Sequence, residues 1–211
     1  MMEKRNYRKE TDAVIGGLGE SVPTLLLHCC CAPCSSAVLE ELTKYFEITV
    51  FFYNPNISPE TEYRKRAEEL LRLTREMEFT HPVHYLEGKY DPERFLMISR
   101  GLEEAPEGGE RCAKCFRLRL SEAAKTAAGL GFDYVTTTLT ISPLKNAELL
   151  NTIGEEEARK AGVRFLPSDF KKRDGYRRSI ELSREFGLYR QDYCGCAFSK
   201  AERERQKKEK G

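Results

Sequence analysis

Short apolar runs alternate with helix-patterned stretches along most of this chain, and that alternation limits the fold more than any other feature. Pro23 starts the run Thr24-Leu25-Leu26-Leu27. Phe46 to Tyr53 reads FEITVFFY, rich in β-branched and aromatic residues, and Asn54-Pro55-Asn56 stops it. Further strands are expected over 81–86, 133–139 and 163–167. Helical patterns fill the gaps at 37–45, 60–78 and 91–99, from the Cys112 region to about Ala128, up to about Ala161, and over 174–187. Continuous apolar strands separated by helices predict an α/β fold with a doubly wound, mostly parallel sheet buried on both faces. Such sheets hold ligands at the carboxyl ends of their strands. Cys30, Cys31 and Cys34 follow the first strand, Thr138, Thr140 and Ser142 the fourth, and Ser168 and Asp169 the fifth. These positions are expected to converge on one mouth. The expected organisation is an arm over 1–20, one α/β catalytic domain over 21–199 and a charged tail over 200–211.

The eight cysteines fall into three tight groups, Cys29-Cys30-Cys31-Ala-Pro-Cys34, Cys112-Ala-Lys-Cys115 and Cys194-Gly-Cys196, with none elsewhere. Buried apolar fillers would scatter, and disulfide partners would be spread along the chain. Ligands one to three residues apart can close on a metal with little extra ordering entropy. Three readings compete. Two Cys-x-x-Cys pairs, 31/34 and 112/115, can supply a structural zinc site, but four thiols are then left over. Cys31-Ala-Pro-Cys34 after a strand is thioredoxin-like, yet dithiol redox chemistry has no use for two further groups. An iron–sulfur cluster needs four ligands, and with Cys29 as a passenger seven remain, enough for an adjacent ion as well. His28 is either a contact of the site or a satisfied core residue. His81 and His84 have no partner motif and read as structural. Among Asp91, Asp169 and Asp192, Asp169 is favoured as an oxygen ligand or proton donor because it follows a strand at the same mouth.

A net charge of +1 excludes a uniformly basic protein but not a local basic patch. Lys171-Lys172-Arg173, Arg177-Arg178 and the stretch from Lys200 to Lys210 concentrate positive charge. For any such run a solvated face or a frayed end is the commoner explanation. No run of 18 apolar residues is present, so no membrane span is expected. The first residues carry charge without an apolar h-region, which argues against a signal peptide. A cytoplasmic, disulfide-free protein is therefore expected.

Four motifs together resemble the epoxyqueuosine reductase QueH family. They are His28-Cys29-Cys30-Cys31-Ala32-Pro33-Cys34, Arg111-Cys112-Ala113-Lys114-Cys115-Phe116, Thr137-Thr138-Leu139 with Ser142-Pro143, and Tyr189-Arg190-Gln191-Asp192-Tyr193-Cys194-Gly195-Cys196. The resemblance runs from about residue 24 to residue 199. It implies the last step of queuosine synthesis: reduction of the epoxide of epoxyqueuosine at the tRNA wobble position, without cobalamin. It implies a fold similar to the adenine nucleotide α-hydrolase (HUP) group. It also implies a [4Fe–4S] cluster with an adjacent mononuclear iron, held by Cys30, Cys31, Cys34, Cys112, Cys115, Cys194 and Cys196. The residue after His is variable in the family's first motif, which marks Cys29 as the passenger. ATP-using members of the fold group carry a glycine-rich phosphate loop after the first strand; Cys-Cys-Ala-Pro-Cys stands there in this chain, so no ATP use is expected. On this reading Asp169 or Tyr193 supplies a proton, and an external donor such as a reduced ferredoxin supplies electrons. Lys171, Lys172, Arg173, Arg177, Arg178 and Arg190 are the expected phosphate contacts. The alternatives are a sulfur-transfer or sulfonucleotide-reducing enzyme of the same fold, and a zinc-stabilised RNA-binding module.

Overall fold

The apolar run after Pro23 becomes β1 (Thr24–His28), the middle strand of a five-stranded sheet. The computed structural model describes residues 5–208; the start of the expected arm (1–4) and the end of the expected tail (209–211) lie outside the described residues. β2 (Glu47–Phe52), β3 (Val83–Glu87), β4 (Tyr134–Thr137) and β5 (Arg164–Phe165) complete the sheet. All neighbours are parallel, in the order β3-β2-β1-β4-β5. The helices are α1 (Tyr7–Gly16), α2 (Ala32–Leu42), α3 (Glu60–Glu76), α4 (Pro92–Ser99), α5 (Glu110–Gly129), α6 (Ala147–Ala161), α7 (Gly175–Glu185) and α8 (Ala197–Lys208). No helix among the described residues is long and apolar enough to cross a membrane.

Alternation along the strands divides the core. Leu25 and Leu27 of β1, with Ile48, Val50 and Phe52 of β2, face α2, α3 and α7. Leu26, Phe51 and Val135 face the alanine stripe Ala123, Ala124 and Ala127 of α5, together with Ala158 of α6. Leu25, Leu26 and Leu27 are fully buried, each contributing about 1.5–3 kcal/mol of apolar transfer energy. That three-layer arrangement is the doubly wound α/β fold expected from the alternation.

The strand order reverses at β1, which lies between β2 and β4. His28 pairs in register with Thr137, so the chain leaves both strands side by side at the switch point. Two boundaries differ from expectation there. The strand expected to reach Leu139 stops at Thr137, because the Thr137 hydroxyl accepts from Leu139 N–H (3.2 Å) and turns Thr138–Ile141 into a 3-10 helix. The helix expected from Ala37 begins at Ala32, immediately after Cys31. Pro33 in its first turn has a fixed φ suited to starting a helix and lacks an N–H that would have gone unbonded.

Candidate metal centre

Cys31 is the N-cap of α2, with extended backbone and no side-chain capping bond, so its thiol remains available. The sulfurs of Cys30, Cys31 and Cys34 all lie within 4.8 Å of one another. Cys30 and Cys31 Sγ are 3.8 Å apart. Two sulfurs bound tetrahedrally to one ion through bonds of about 2.3 Å would lie about 3.8 Å apart. The three thiols share charge: Cys31 and Cys34 hydrogen-bond to Cys30 and hold it below the usual thiol range. Cys31 moves up in consequence, and Cys34, bonded to Cys30, is pushed up to about 12. The helix N-terminus adds a positive potential that favours thiolate.

Cys112 and Cys115 stand on the first turns of α5, three residues apart and so on one face. Cys194 and Cys196 flank Gly195 just before α8. Gly195 has φ +118°, and its carbonyl accepts from Ser58 N–H at 2.9 Å. These four cysteines line one small cavity walled also by Phe95, Phe116 and Arg111. Burial pushes Cys115 up to about 12, Cys196 up to about 11, and Cys112 upward. Among the described residues the 30/31/34 set is the only group of three or more possible ligands closing within 4.8 Å. The second group lines a small cavity instead of closing on a point.

Cations gather around these thiols. Arg119, fully buried in the middle of α5, donates from Nη2 to Asn54 Oδ1 at 2.6 Å. Asn54 is itself fixed by donating to the Cys29 carbonyl at 2.8 Å. Nε and Nη1 of Arg119 have no hydrogen-bond partner. Burial disfavours its charge, but the thiols of Cys115, Cys30 and Cys194 outweigh that and raise its pKa. Arg66 is 2% exposed, pairs with Glu62 at 2.7 Å and donates to the Cys194 carbonyl at 3.2 Å. Lys145, half-buried after β4, is held protonated against burial by Cys194, Cys30 and Cys34, which belong to both thiol groups. A buried guanidinium with two donors unmet calls for a nearby anion. A thiolate-ligated metal centre is anionic and accepts N–H bonds at sulfur, so the residues present fit such a group.

The structure thus brings together Cys30, Cys31, Cys34, Cys112, Cys115, Cys194 and Cys196. Cys29 points elsewhere: its thiol lies in the main core and donates to the Leu27 carbonyl. His28 is a core residue satisfied at both nitrogens, with Nδ1 2.9 Å from the Thr137 hydroxyl and Nε2 3.1 Å from the Tyr53 carbonyl. Burial pushes its pKa down to about 3, so it is neutral, and the carbonyl requires the proton on Nε2. Asp169 lies on a separate basic groove, with Oδ1 2.6 Å from Lys171 Nζ in an ionic contact lacking hydrogen-bond geometry. Lys172 and Arg173 line the same groove. Tyr193 lies beneath Arg66, whose guanidinium is 5.2 Å from the ring centre, and burial raises its hydroxyl pKa. Arg190 stands apart, donating to the Ser179 carbonyl and the Ser183 hydroxyl of α7. Arg177 pairs with Glu181 and Arg178 with Glu40. Of the other aspartates, Asp91 caps α4 without a side-chain bond and Asp192 pairs with Lys207 at 2.6 Å.

Sequence reasoning missed Arg119 and Lys145. A signal for Arg119 was present: Arg111, Cys115 and Arg119 recur at i, i+4, i+8 among the buried positions of α5. A charge at core spacing beside cysteines marks a counter-ion.

A family model described as "Epoxyqueuosine reductase QueH" matches residues 25–202, well over half of the chain. The chain belongs to the epoxyqueuosine reductase QueH family. A protein of that name from Streptococcus pyogenes serotype M1 is 47% identical over 183 residues, covering 85% of this chain and 72% of its own. One from Staphylococcus epidermidis is 43% identical over 204 residues, covering 93% and 85%. One from Thermotoga maritima is 37% identical over 186 residues, covering 85% and 92%. All four motifs quoted above lie inside the matched range.

Proposed function

We propose that this member of the family reduces epoxyqueuosine to queuosine at the wobble position of tRNA, as a cobalamin-independent enzyme carrying a [4Fe–4S] cluster and an adjacent iron. The observation that supports it best is the division of seven cysteines into a close triad and a wider set of four, around Arg119 and Lys145, neither of which has a carboxylate partner among the described residues. The triad Cys30, Cys31 and Cys34 suits a single ion with one further ligand position open. Cys112, Cys115, Cys194 and Cys196 suit the cluster. When bound, the cluster would deliver electrons singly and the iron would polarise the epoxide C–O bond as a Lewis acid.

Removing the epoxide oxygen consumes two electrons and two protons and yields an alkene and water. The chain's part is to hold, screen and protonate. Arg119 and Lys145 place fixed positive charge beside both thiol groups, where each added electron deepens the negative charge. Phe95 and Phe116 shield the four-thiol cavity from water. Tyr193, protonated at neutral pH, and Asp169 are the candidate proton donors to the departing oxygen. Lys171, Lys172 and Arg173 are the candidate phosphate contacts. The wobble base must be turned out of the loop to reach the thiols, as is usual when a base in RNA undergoes chemistry. Electrons come from an external one-electron donor such as a reduced ferredoxin.

Cys112→Ala and Cys194→Ala are expected to abolish conversion of epoxyqueuosine in tRNA while the protein remains folded by circular dichroism. Full activity in either variant would sink the cluster assignment. Tyr193→Phe and Asp169→Asn, assayed alongside, are expected to keep their iron, and the proton donor is the one whose loss lowers kcat.

A further inference from the structure

Outside the thiol chambers, the described surface carries a cavity of roughly 750 Å³ with an unusual lining. One wall is the start of α1, with Arg5, Arg8 and Lys9; the other is the loop after β5, with Lys171, Lys172 and Arg173. Lys145, at the start of α6, lies between them. Only two carboxylates, Glu148 and Asp169, share the lining with these seven cations.

The cations divide by their partners. Arg5 is held by Glu10 and Glu155, Arg8 by Asp12 and Glu41, Arg173 by Asp12, and Lys171 by Asp169. These pairs fix the walls: Arg173 reaches across to α1, and the Thr11 hydroxyl of α1 donates to the Pro167 carbonyl at 2.7 Å. Lys9, Lys145 and Lys172 form no ion pair among the described residues. A braced groove with two uncommitted ammonium groups, Lys9 and Lys172, and a third, Lys145, that faces the thiols suits a chain of phosphates better than a single carboxylate.

The groove leads to the chemistry. Lys145 and Asn146 line it and also line a smaller cavity with Cys112, Cys194 and Phe116. A strand lying along the groove would therefore bring the nucleotide at its inner end to the thiols. α1 lies before the stretch that matches the family model, which begins at residue 25.

We propose that this groove seats the phosphodiester backbone of the single-stranded RNA next to the reacting base, making α1 a substrate-binding element through Lys9, opposite Lys172. This rests on the tRNA reading given above and adds the path that the strand takes.

The test is binding of an unmodified anticodon stem-loop RNA, followed by fluorescence anisotropy across a salt series. Lys9 and Lys172 are exposed, so Lys9→Ala, Lys172→Ala and the double variant should fold normally. Each substitution is expected to weaken binding and to flatten the slope of log K against log salt by about 0.7, the double variant by about 1.4. Lys125→Ala, an exposed lysine of α5 outside the groove, should leave both unchanged. Wild-type affinity and slope in the double variant would overturn the proposal, as would failure of the wild-type protein to bind the stem-loop. Turnover of epoxyqueuosine tRNA, measured in parallel, separates the two levels. If wild type converts the tRNA but the lysine variants bind unchanged, the groove assignment alone falls. Groove-dependent binding without conversion by the loaded wild type removes the reductase reading and leaves the groove.

Discussion

Gly195 sets the spacing between two of the cysteines, and replacing it with alanine should loosen the metal centre without unfolding the protein. At φ +118° an L residue carries backbone strain of about 1–3 kcal/mol. A Cβ there would also stand 3.0 Å from Arg66 Nη1 and 3.0 Å from Ile57 Cγ1. Neither neighbour is free to retreat. Arg66 is held by Glu62 and by the Cys194 carbonyl, and Ile57 is fully buried. Overpacking of this kind adds about 1–3 kcal/mol, for a total of about 2–6 kcal/mol. The cheapest escape is local. Breaking the Ser58 N–H bond to the Gly195 carbonyl lets the segment swing out, carrying both thiols with it. At about 1.4 kcal/mol per factor of ten, metal affinity should fall roughly thirtyfold to twenty-thousandfold. The assay is anaerobic reconstitution with an iron and sulfide count, together with competition for cobalt(II) against a chelator. Gly187→Ala is the control: its φ is +57° and a Cβ would meet nothing within 4 Å, so only backbone strain of about 1–2 kcal/mol arises, away from the thiols. Wild-type metal content and affinity in Gly195→Ala would refute the reasoning.

Two further outcomes depend on the charges around the thiols. Burial and mutual hydrogen bonding hold Cys34, Cys115 and Cys196 above their usual range, at about 12, 12 and 11, so at pH 7 to 8 these thiols are protonated in the metal-free protein. Binding must expel those protons, so cobalt(II) affinity should rise about tenfold from pH 7 to pH 8 for each proton displaced; an affinity independent of pH would mean preformed thiolates. Arg119→Leu removes the buried guanidinium between the two thiol groups. Losing one charge-assisted bond of about 1.5 kcal/mol to the reduced centre should lower its one-electron midpoint by on the order of 60 mV in a spectroscopic redox titration. An unchanged potential would show that Arg119 serves packing alone.

Strand-to-helix alternation carried most of the fold, because apolar runs such as Thr24–Leu27 and Phe46–Tyr53 have only one way to bury both faces. Boundaries at the switch point were not legible. The early start of α2 depends on Pro33, and the early end of β4 on one hydroxyl-to-backbone bond at Thr137. The cysteines announced themselves by clustering, but the split into three and four did not, since it arises where α5 and the segment before α8 meet, far apart in sequence. His28 shows the same limit: its neighbours in the chain are thiols, yet its side chain faces Thr137 and Tyr53 across two strands. Lys145 and the α1 wall of the groove were hidden for that reason too. Each is an ordinary basic residue until tertiary contacts place it beside a cavity.

Cys194 and Cys196 come after all five strands in the chain, whereas Cys112 and Cys115 come before β4 is formed. During synthesis, then, the four-thiol chamber is open on one side until the last part of the fold emerges and the Gly195 carbonyl finds Ser58. A chain interrupted after β5 would have its sheet strands and the two cysteine-bearing helices α2 and α5, but only half of the ligands for the larger chamber. A metal bound in the larger chamber would therefore be held by its full set of thiols only in a chain that has reached Cys196 and folded back against α3.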